Sequence, residues 1–256
     1  MNKVLALALN TTREAIRSRV LYSILAFAIL MVGISAIFGS ASIGDQIRYI
    51  KDFSLMSISL FGVIIAVVLG VNLLHNELHN KTILNTLSKP VARWQFVLGK
   101  FLGLFATLVA VIAGMALGLS VFLTLLEGRF DPGILIAASA SLLEIMIVIA
   151  FAVFFSSLVV TPTLAGMFTI GCFIAGRSTQ YLEYFLAEDT GAMLRFGAKI
   201  LNALLPRLDH FLLADRLVYG EPIAGSTIFF LIAYALSYSA VLLLVAVGLF
   251  SRREFK

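Results

Sequence analysis

Charged residues are scarce in this chain of 256 residues: they make up 13% of it, whereas hydrophobic residues make up 61%. A soluble globular domain carries about one quarter charged residues and is about half apolar, so that class of protein is excluded. The mean hydropathy of +1.03 leads to the same conclusion. The composition indicates an integral membrane protein.

Cysteine and histidine are nearly absent as well. The single cysteine, Cys172, excludes an intrachain disulfide. His75 and His79 have the spacing that places two imidazoles on one helix face, but Glu77 is out of place for the HExxH zinc motif. We therefore expect this chain to bind no metal and no cofactor.

The sequence also has no GxxxxGK[ST] phosphate-binding loop. Gly99-Lys100 is followed by Phe101, and Trp94 occupies the position where the motif needs its first glycine. The sequence has no nucleophile with a nearby base that would indicate an enzyme. It also has no basic surface with interleaved aromatic residues that would indicate a nucleic-acid partner. Energy for any transport must come from a partner chain or from an ion gradient.

Six apolar segments are long enough to cross a bilayer, which takes about 20 residues of helix. Helices are the expected structure because unpaired backbone amides are too costly in lipid, and Pro162 can begin a helix but cannot continue one. We predict an all-α integral membrane protein, with residues 1–256 forming one transmembrane domain. The predicted spans are Val20–Phe38, Leu55–Leu74, Phe96–Leu126, Ile134–Leu158, Pro162–Gly176 and Thr227–Phe250.

The basic residues between these spans predict the orientation. With both termini on one side, that side has only three acidic residues, Glu14, Glu77 and Glu254. Its basic residues are Lys3, Arg13, Arg17, Arg19, Lys81, Lys89, Arg93, Lys100, Arg252, Arg253 and Lys256. Short loops rich in Lys and Arg remain in the cytoplasm. We predict a multi-pass protein of the bacterial cytoplasmic (inner) membrane, with both termini and the tail 251–256 in the cytoplasm.

Two further segments mix apolar and charged residues and are not expected to cross. In residues 1–19 an apolar strip predicts an amphipathic helix on the inner leaflet, although a charged anchor that only fixes topology has the same charges. The strip consists of Val4, Leu5, Ala8, Leu9, Thr12 and Ile16. In residues 177–226 we predict two short helices on the external face, broken at Pro206.

A polar stretch, residues 76–93, separates the second span from the third. Leu78, Ile83, Leu84 and Leu87 form an apolar strip at helical spacing, and Lys81, Asn85 and Ser88 lie on the other side. Pro90 ends this predicted helix, and the next helix begins at once, with Lys100 expected to extend outward to the membrane surface. We predict a short cytoplasmic helix across the ends of two spans; the alternative is a solvated loop.

The stretch NELHNKTILNTLSKPVARWQFVLGKFLG, residues 76–103, resembles the cytoplasmic loop of ABC-2-type permeases. That loop has an acidic residue, a threonine-leucine helix, then "LSKPV-R" and "LGKF-G". The resemblance extends over the whole chain, including LLPRLDHF at residues 204–211. Within the family the sequence is most similar to permeases associated with copper-enzyme maturation, of the nitrous oxide reductase accessory type.

This resemblance implies a transport subunit. In the family two permease subunits pair, as a homodimer or as related chains, and each docks its coupling helix on one of two cytoplasmic ABC ATPase subunits that bind ATP-Mg. Membrane lipid and an extracytoplasmic accessory protein are further expected partners. The coupling residues would be Glu77, Lys81, Thr82, Leu84, Leu87, Lys89, Pro90 and Arg93. Lys81 departs from the family pattern, which commonly has glycine before the threonine.

Glu144 lies near the middle of the fourth predicted span, where a carboxylate is costly and usually functional. It could line a substrate pathway, carry a proton, or form a hydrogen bond at a helix interface. Since no basic residue shares its depth in the predicted spans, we expect no salt bridge within the chain. We expect Glu144 to be protonated or hydrated at the seam between two subunits.

Two functions remain open at this stage. The first is the permease subunit of an ABC exporter, which the resemblance implies. The alternative is an ion-coupled secondary transporter or channel that works without an ATPase. Glu144 is the single charged residue deep within the predicted spans, since Lys100 lies near the end of the third. This favours the first function, because ion-coupled carriers usually have more such charges.

Overall fold

A computed structural model describes residues 3–40, 46–79, 92–159, 161–182, 205–218 and 223–252, together with residues 197, 199, 201 and 202. The described residues are helical or irregular and include no strand. The helices are α1 (Lys3–Arg17), α2 (Arg19–Ser40), α3 (Gln46–His79), α4 (Arg93–Glu127), α5 (Gly133–Leu158), α6 (Pro162–Arg177), α7 (Thr179–Leu182), α8 (Ala214–Val218) and α9 (Gly225–Arg252). A 3-10 turn, Leu208–Phe211, precedes α8.

Each of the six predicted spans lies within a helix. Among the described residues, four helices are long and apolar enough to cross a membrane: α3, α4, α5 and α9. A fifth span results if α1 and α2, which meet at a bend of 62°, count as one broken span. The helix α6 has 16 residues, roughly 24 Å, which is less than the hydrocarbon core of about 30 Å. The chain is thus a multi-pass membrane protein with four or five candidate spans.

The core of the bundle lies between α3 and α5. In their most apolar windows 78% of α3 and 67% of α5 are buried inside the protein, compared with 33% of α4 and 22% of α9. Ile65, Ile145 and Ile149 are among the fully buried residues. The helices α4 and α9 therefore present much of their apolar surface to lipid or to a partner.

The break between α5 and α6 follows the prediction made from proline. The helix α5 ends where Val159 becomes extended, Thr161 is extended too, and Pro162 begins α6. Proline is suited to the first helical position because its missing N–H would have no intrahelical partner there. The two helices therefore form a tight hairpin, which brings them side by side.

At one end of the bundle, Lys51 of α3 binds the turn between α4 and α5. Its ammonium group is 3.1 Å from Glu127 and 2.9 Å from Asp131. Burial opposes ionisation of Asp131, but hydrogen bonds from Lys51 and from the backbone N–H of Gly133 outweigh it, so its pKa lies below the usual value. Gly128 ends α4 with φ of 68°, a left-handed conformation that favours glycine.

The helix α1 packs along α4, on the first of two glycine pairs in that helix. A Cβ atom on Gly99 would lie 2.6 Å from the Cβ of Leu7, and one on Gly103 would lie 2.5 Å from the carbonyl oxygen of Ala8. The hydroxyl of Thr12 donates to the carbonyl of Gly103 at 3.0 Å. Only glycine permits this separation, so the glycine pair forms the docking surface for α1.

This packing bears on two predictions, and it corrects the one made for Lys100. The N-terminal segment is helical, with Ala8, Thr11 and Ala15 buried against the bundle, while Leu5 and Leu9 of the predicted apolar strip lie exposed on its surface; its place on the inner leaflet stays a prediction. Lys100 does not extend outward: its side chain is 2% exposed and its Nζ lies 3.3 Å from Glu14 of α1. The lysine is covered because the glycines on either side of it admit α1.

Candidate functional site

The carboxylate of Glu144 lies inside the helix bundle. The residue is 1% exposed, and α5 presents it to α3 and α6. A position this deep within one subunit excludes the predicted place at a seam between two subunits. The fully buried neighbours along α5, such as Ile145 and Ile147, show that the helix is covered around this position.

Arg177 at the end of α6 forms an ion pair with Glu144, which corrects the expectation that the carboxylate lacks a basic partner. Its Nε lies 3.2 Å from Glu144 Oε1, a contact between the two side chains that is electrostatic rather than a hydrogen bond. Ser59 of α3 completes the cluster: its hydroxyl donates to Glu144 Oε2 at 3.1 Å, and Arg177 Nη2 lies 3.1 Å from the same hydroxyl. Three helices thus meet at one carboxylate.

Arg177 reaches this carboxylate because α6 is short. Glu144 lies about four helical turns before the end of α5, and Arg177 lies about four turns after the start of α6. The hairpin at Pro162 therefore places them at similar depth. The sequence places Arg177 in the external segment, because the apolar run before it is predicted to cross the whole membrane. The sequence signal for the true depth of Arg177 is the apolar run of α6, which is shorter than the runs of the other predicted spans.

The surroundings hold the guanidinium in place. Its central carbon lies 5.4 Å from the ring centre of Phe173, one turn earlier on α6, within the range of a cation–π interaction. The side chain of Arg177 is 21% exposed, while that of Glu144 is 1% exposed. The cluster therefore consists of a fully buried carboxyl group and a guanidinium with some access to the exterior.

The chain beyond α6 folds back over this end of the helix. Thr179 Oγ1 lies 3.0 Å from Asp209 Oδ1 and donates to the carbonyl of Gly176 at 2.8 Å. A Cβ on Gly176 would lie 2.8 Å from the carbonyl oxygen of Pro206. Pro206 is followed by the 3-10 turn, in which Leu208 and Phe211 are buried. This segment fixes the end of α6, and with it Arg177.

Chemically, the cluster is a neutral pair that links α3, α5 and α6. An ion pair removed from water gains its attraction only while both partners remain, and removal of one partner leaves an uncompensated charge. The described part of the chain holds no group of three or more His, Cys, Asp or Glu residues suited to a metal ion. The arrangement is suited to holding three helices in one relative position.

Most of the predicted coupling residues lie outside the described part of the chain: Lys81, Thr82, Leu84, Leu87, Lys89 and Pro90. Glu77 belongs to the last turn of α3. Arg93 begins α4, at the end of the predicted coupling segment. The docking surface itself therefore stays a prediction.

Arg93 binds the opposite end of the chain. Its Nη1 donates to the backbone carbonyls of Phe250 and Ser251 in the last turns of α9, at 3.1 and 2.5 Å. The last carbonyls of a helix have no intrahelical donor, and a cation is favourable at that end of the helix dipole. Phe96 and Phe250 stack beneath this contact with ring centres 5.6 Å apart. The start of α4 and the end of α9 are thus joined.

A family model described as ABC-2 family transporter protein matches residues 5–255, nearly the whole chain. No curated protein matches the sequence significantly.

Proposed function

Because this chain belongs to the ABC-2 family of transporter proteins, we propose that it is the membrane-spanning permease subunit of an ATP-driven exporter. Membership of the family makes it a transmembrane transport protein and indicates a transport subunit rather than an enzyme. ABC-2 permeases generally work with ATPase subunits. The proposal adds that two cytoplasmic ABC ATPases bind this chain and a second permease chain, and that ATP hydrolysis in them drives the movement of substrate.

The proposed topology has six spans in the bacterial inner membrane, with both termini in the cytoplasm. The distribution of basic residues supports it. In this topology the contact between Arg93 and the end of α9 lies on the cytoplasmic side, and the Lys51 cluster lies on the external side. The helix α6 is the shortest of the six: it ends at the depth of Glu144, and in this topology the segment that follows it covers that end and leads to the external face.

The observation that carries the coupling proposal is the contact made by Arg93. The residue is the last of residues 76–93, the predicted coupling segment, and it binds the last turn of the final span. A movement of the coupling segment would therefore act on α4 and α9 together. This gives a physical route from a docked ATPase to the spans.

Within this function we propose that Glu144 acts in the transport cycle through its pair with Arg177. Since the carboxylate is covered on all sides in this state, cargo or a proton would reach it only if α3, α5 and α6 shifted relative to one another. Separation and re-formation of the pair would distinguish two arrangements of these helices. Within the family we propose the subgroup that the sequence resembles, the permeases associated with copper-enzyme maturation.

The experiment introduces a charge on each side of the predicted coupling helix. Leu87→Asp places a carboxylate on the predicted docking face, whereas the control Asn85→Asp places the same charge on the opposite face. A charge forced into a desolvated interface costs several kcal/mol. We expect Leu87→Asp to abolish co-purification with the ATPase while the permease remains in the membrane, and Asn85→Asp to retain it. Equal retention by both variants would contradict the docking role.

A further inference from the structure

The second glycine pair of α4 faces an open groove. Gly114 and Gly118, together with Gly33 of α2, have nothing within 4 Å of the position that a Cβ would occupy. The groove between α2 and α4 has a volume of about 630 Å³. Its walls are apolar, and among its lining residues only Tyr22 and Thr107 carry a polar side chain. The groove suits a hydrocarbon chain.

The dimensions favour an acyl chain that enters from one end. On α4 the groove runs from Thr107 to Phe122, about four turns or roughly 22 Å. One leaflet of the hydrocarbon core is about 15 Å thick, half of the bilayer value of about 30 Å. An acyl chain of one leaflet therefore fits along the groove without reaching its far end.

One end of the groove is basic. Ile16 and Leu21 line it there, at the 62° bend between α1 and α2. Between these two residues the chain carries Arg17 and Arg19, and both are exposed. The only acidic residue of α1, Glu14, is paired with Lys100. The charge at this end therefore complements an anionic headgroup.

We propose that the groove between α2 and α4 binds one acyl chain of an anionic phospholipid, whose phosphate headgroup lies beside Arg17 and Arg19. The site depends only on the geometry of this chain. It needs neither an ATPase partner nor the proposed docking helix, so it can fail or succeed independently of the proposed function.

The test measures lipid retained by the purified full-length chain. The protein is exchanged into mixed micelles with equal amounts of phosphatidylglycerol and phosphatidylethanolamine, and bound lipids are counted by mass spectrometry. We expect the wild type to retain phosphatidylglycerol in excess. Gly114→Leu/Gly118→Leu fills the groove and should reduce retained lipid at least severalfold. Gly171→Leu/Gly248→Leu is the control, because these glycines also lie in open space but outside the groove.

The headgroup is tested by Arg17→Gln/Arg19→Gln, with Arg129→Gln in the turn after α4 as the control. The double variant should keep a bound lipid but lose preference for phosphatidylglycerol, by about fivefold for each arginine removed. Retention of lipid by the filled-groove variant at the wild-type level would overturn the proposal. So would a filled-groove variant that keeps its lipid but no longer forms dimers, since the groove would then be a contact between two copies.

Discussion

Two ion pairs in this protein have opposite arrangements. In the core, a buried carboxylate, Glu144, pairs with a partly exposed guanidinium, Arg177. Between α1 and α4, a buried ammonium, Lys100, pairs with a carboxylate, Glu14, that is 38% exposed. Each pair therefore has one charge that depends on its partner and one that can also reach water.

The elements that carry these charges differ in how they are held. Arg177 ends a helix that is bounded by the Pro162 hairpin on one side and by the Thr179–Asp209 contact on the other. Glu14 belongs to α1, which packs mainly on α4 and lies at the start of the described chain. Breaking the ion pair in the core should therefore lower the stability of the whole bundle, whereas breaking the pair at α1 should loosen only that helix.

The largest effect is expected from Arg177→Leu. It leaves the carboxylate of Glu144 buried without a counter-charge, which costs about 3–5 kcal/mol. Thermal unfolding in detergent should show a strongly lowered Tm. The double variant Glu144→Leu/Arg177→Leu removes both charges and should recover most of the loss. An Arg177→Leu variant as stable as the wild type would show that the pair does not hold the core.

A smaller effect on stability is expected from Glu144→Gln. The amide retains the shape and the contact with Ser59, and the remaining guanidinium has some access to the exterior, so the loss should be about 1–3 kcal/mol. Transport should be abolished while ATPase docking persists, because the variant lacks the charge that the proposed transport cycle uses. Wild-type transport by this variant would contradict a role for Glu144 beyond packing.

The smallest effect is expected from Glu14→Gln. The change leaves the buried ammonium of Lys100 without this carboxylate, but α1 can separate from α4 and let water reach that ammonium, so the global free energy of unfolding should fall by about 1 kcal/mol or less. The change should appear mainly as faster amide hydrogen exchange in α1. Uniformly faster exchange throughout the bundle would contradict the local character of this pair.

These pairs also show what the sequence could reveal. The helical segments followed from long apolar runs, and Pro162 correctly predicted the start of α6. Glu144 was recognisable because a carboxylate within an apolar run is rare. Its partner was not, because the depth of Arg177 depends on the shortness of α6 and on the hairpin that begins it.

Lys100 was misjudged for a related reason. A lysine near the end of a span usually extends its charge to the surface, and that rule considers only its own helix. The spacing of Gly99 and Gly103 is typical of positions where another helix packs closely, but the sequence does not identify α1 as that helix. The second pair, Gly114 and Gly118, has the same spacing but no neighbouring atoms at the Cβ positions. The spacing alone therefore does not predict whether another helix packs on a glycine pair.

The most direct test of the account is the composition and activity of the complex that contains this chain. The untagged partners should be isolated with the tagged wild-type chain from its own membrane in mild detergent, and bound ATP hydrolysis should be measured. We predict an ATPase subunit in equal amount to the permease chains, with hydrolysis that depends on Mg-ATP. A chain that purifies without any ATPase, and that transports in vesicles when driven by an ion gradient alone, would contradict the account and favour a secondary transporter.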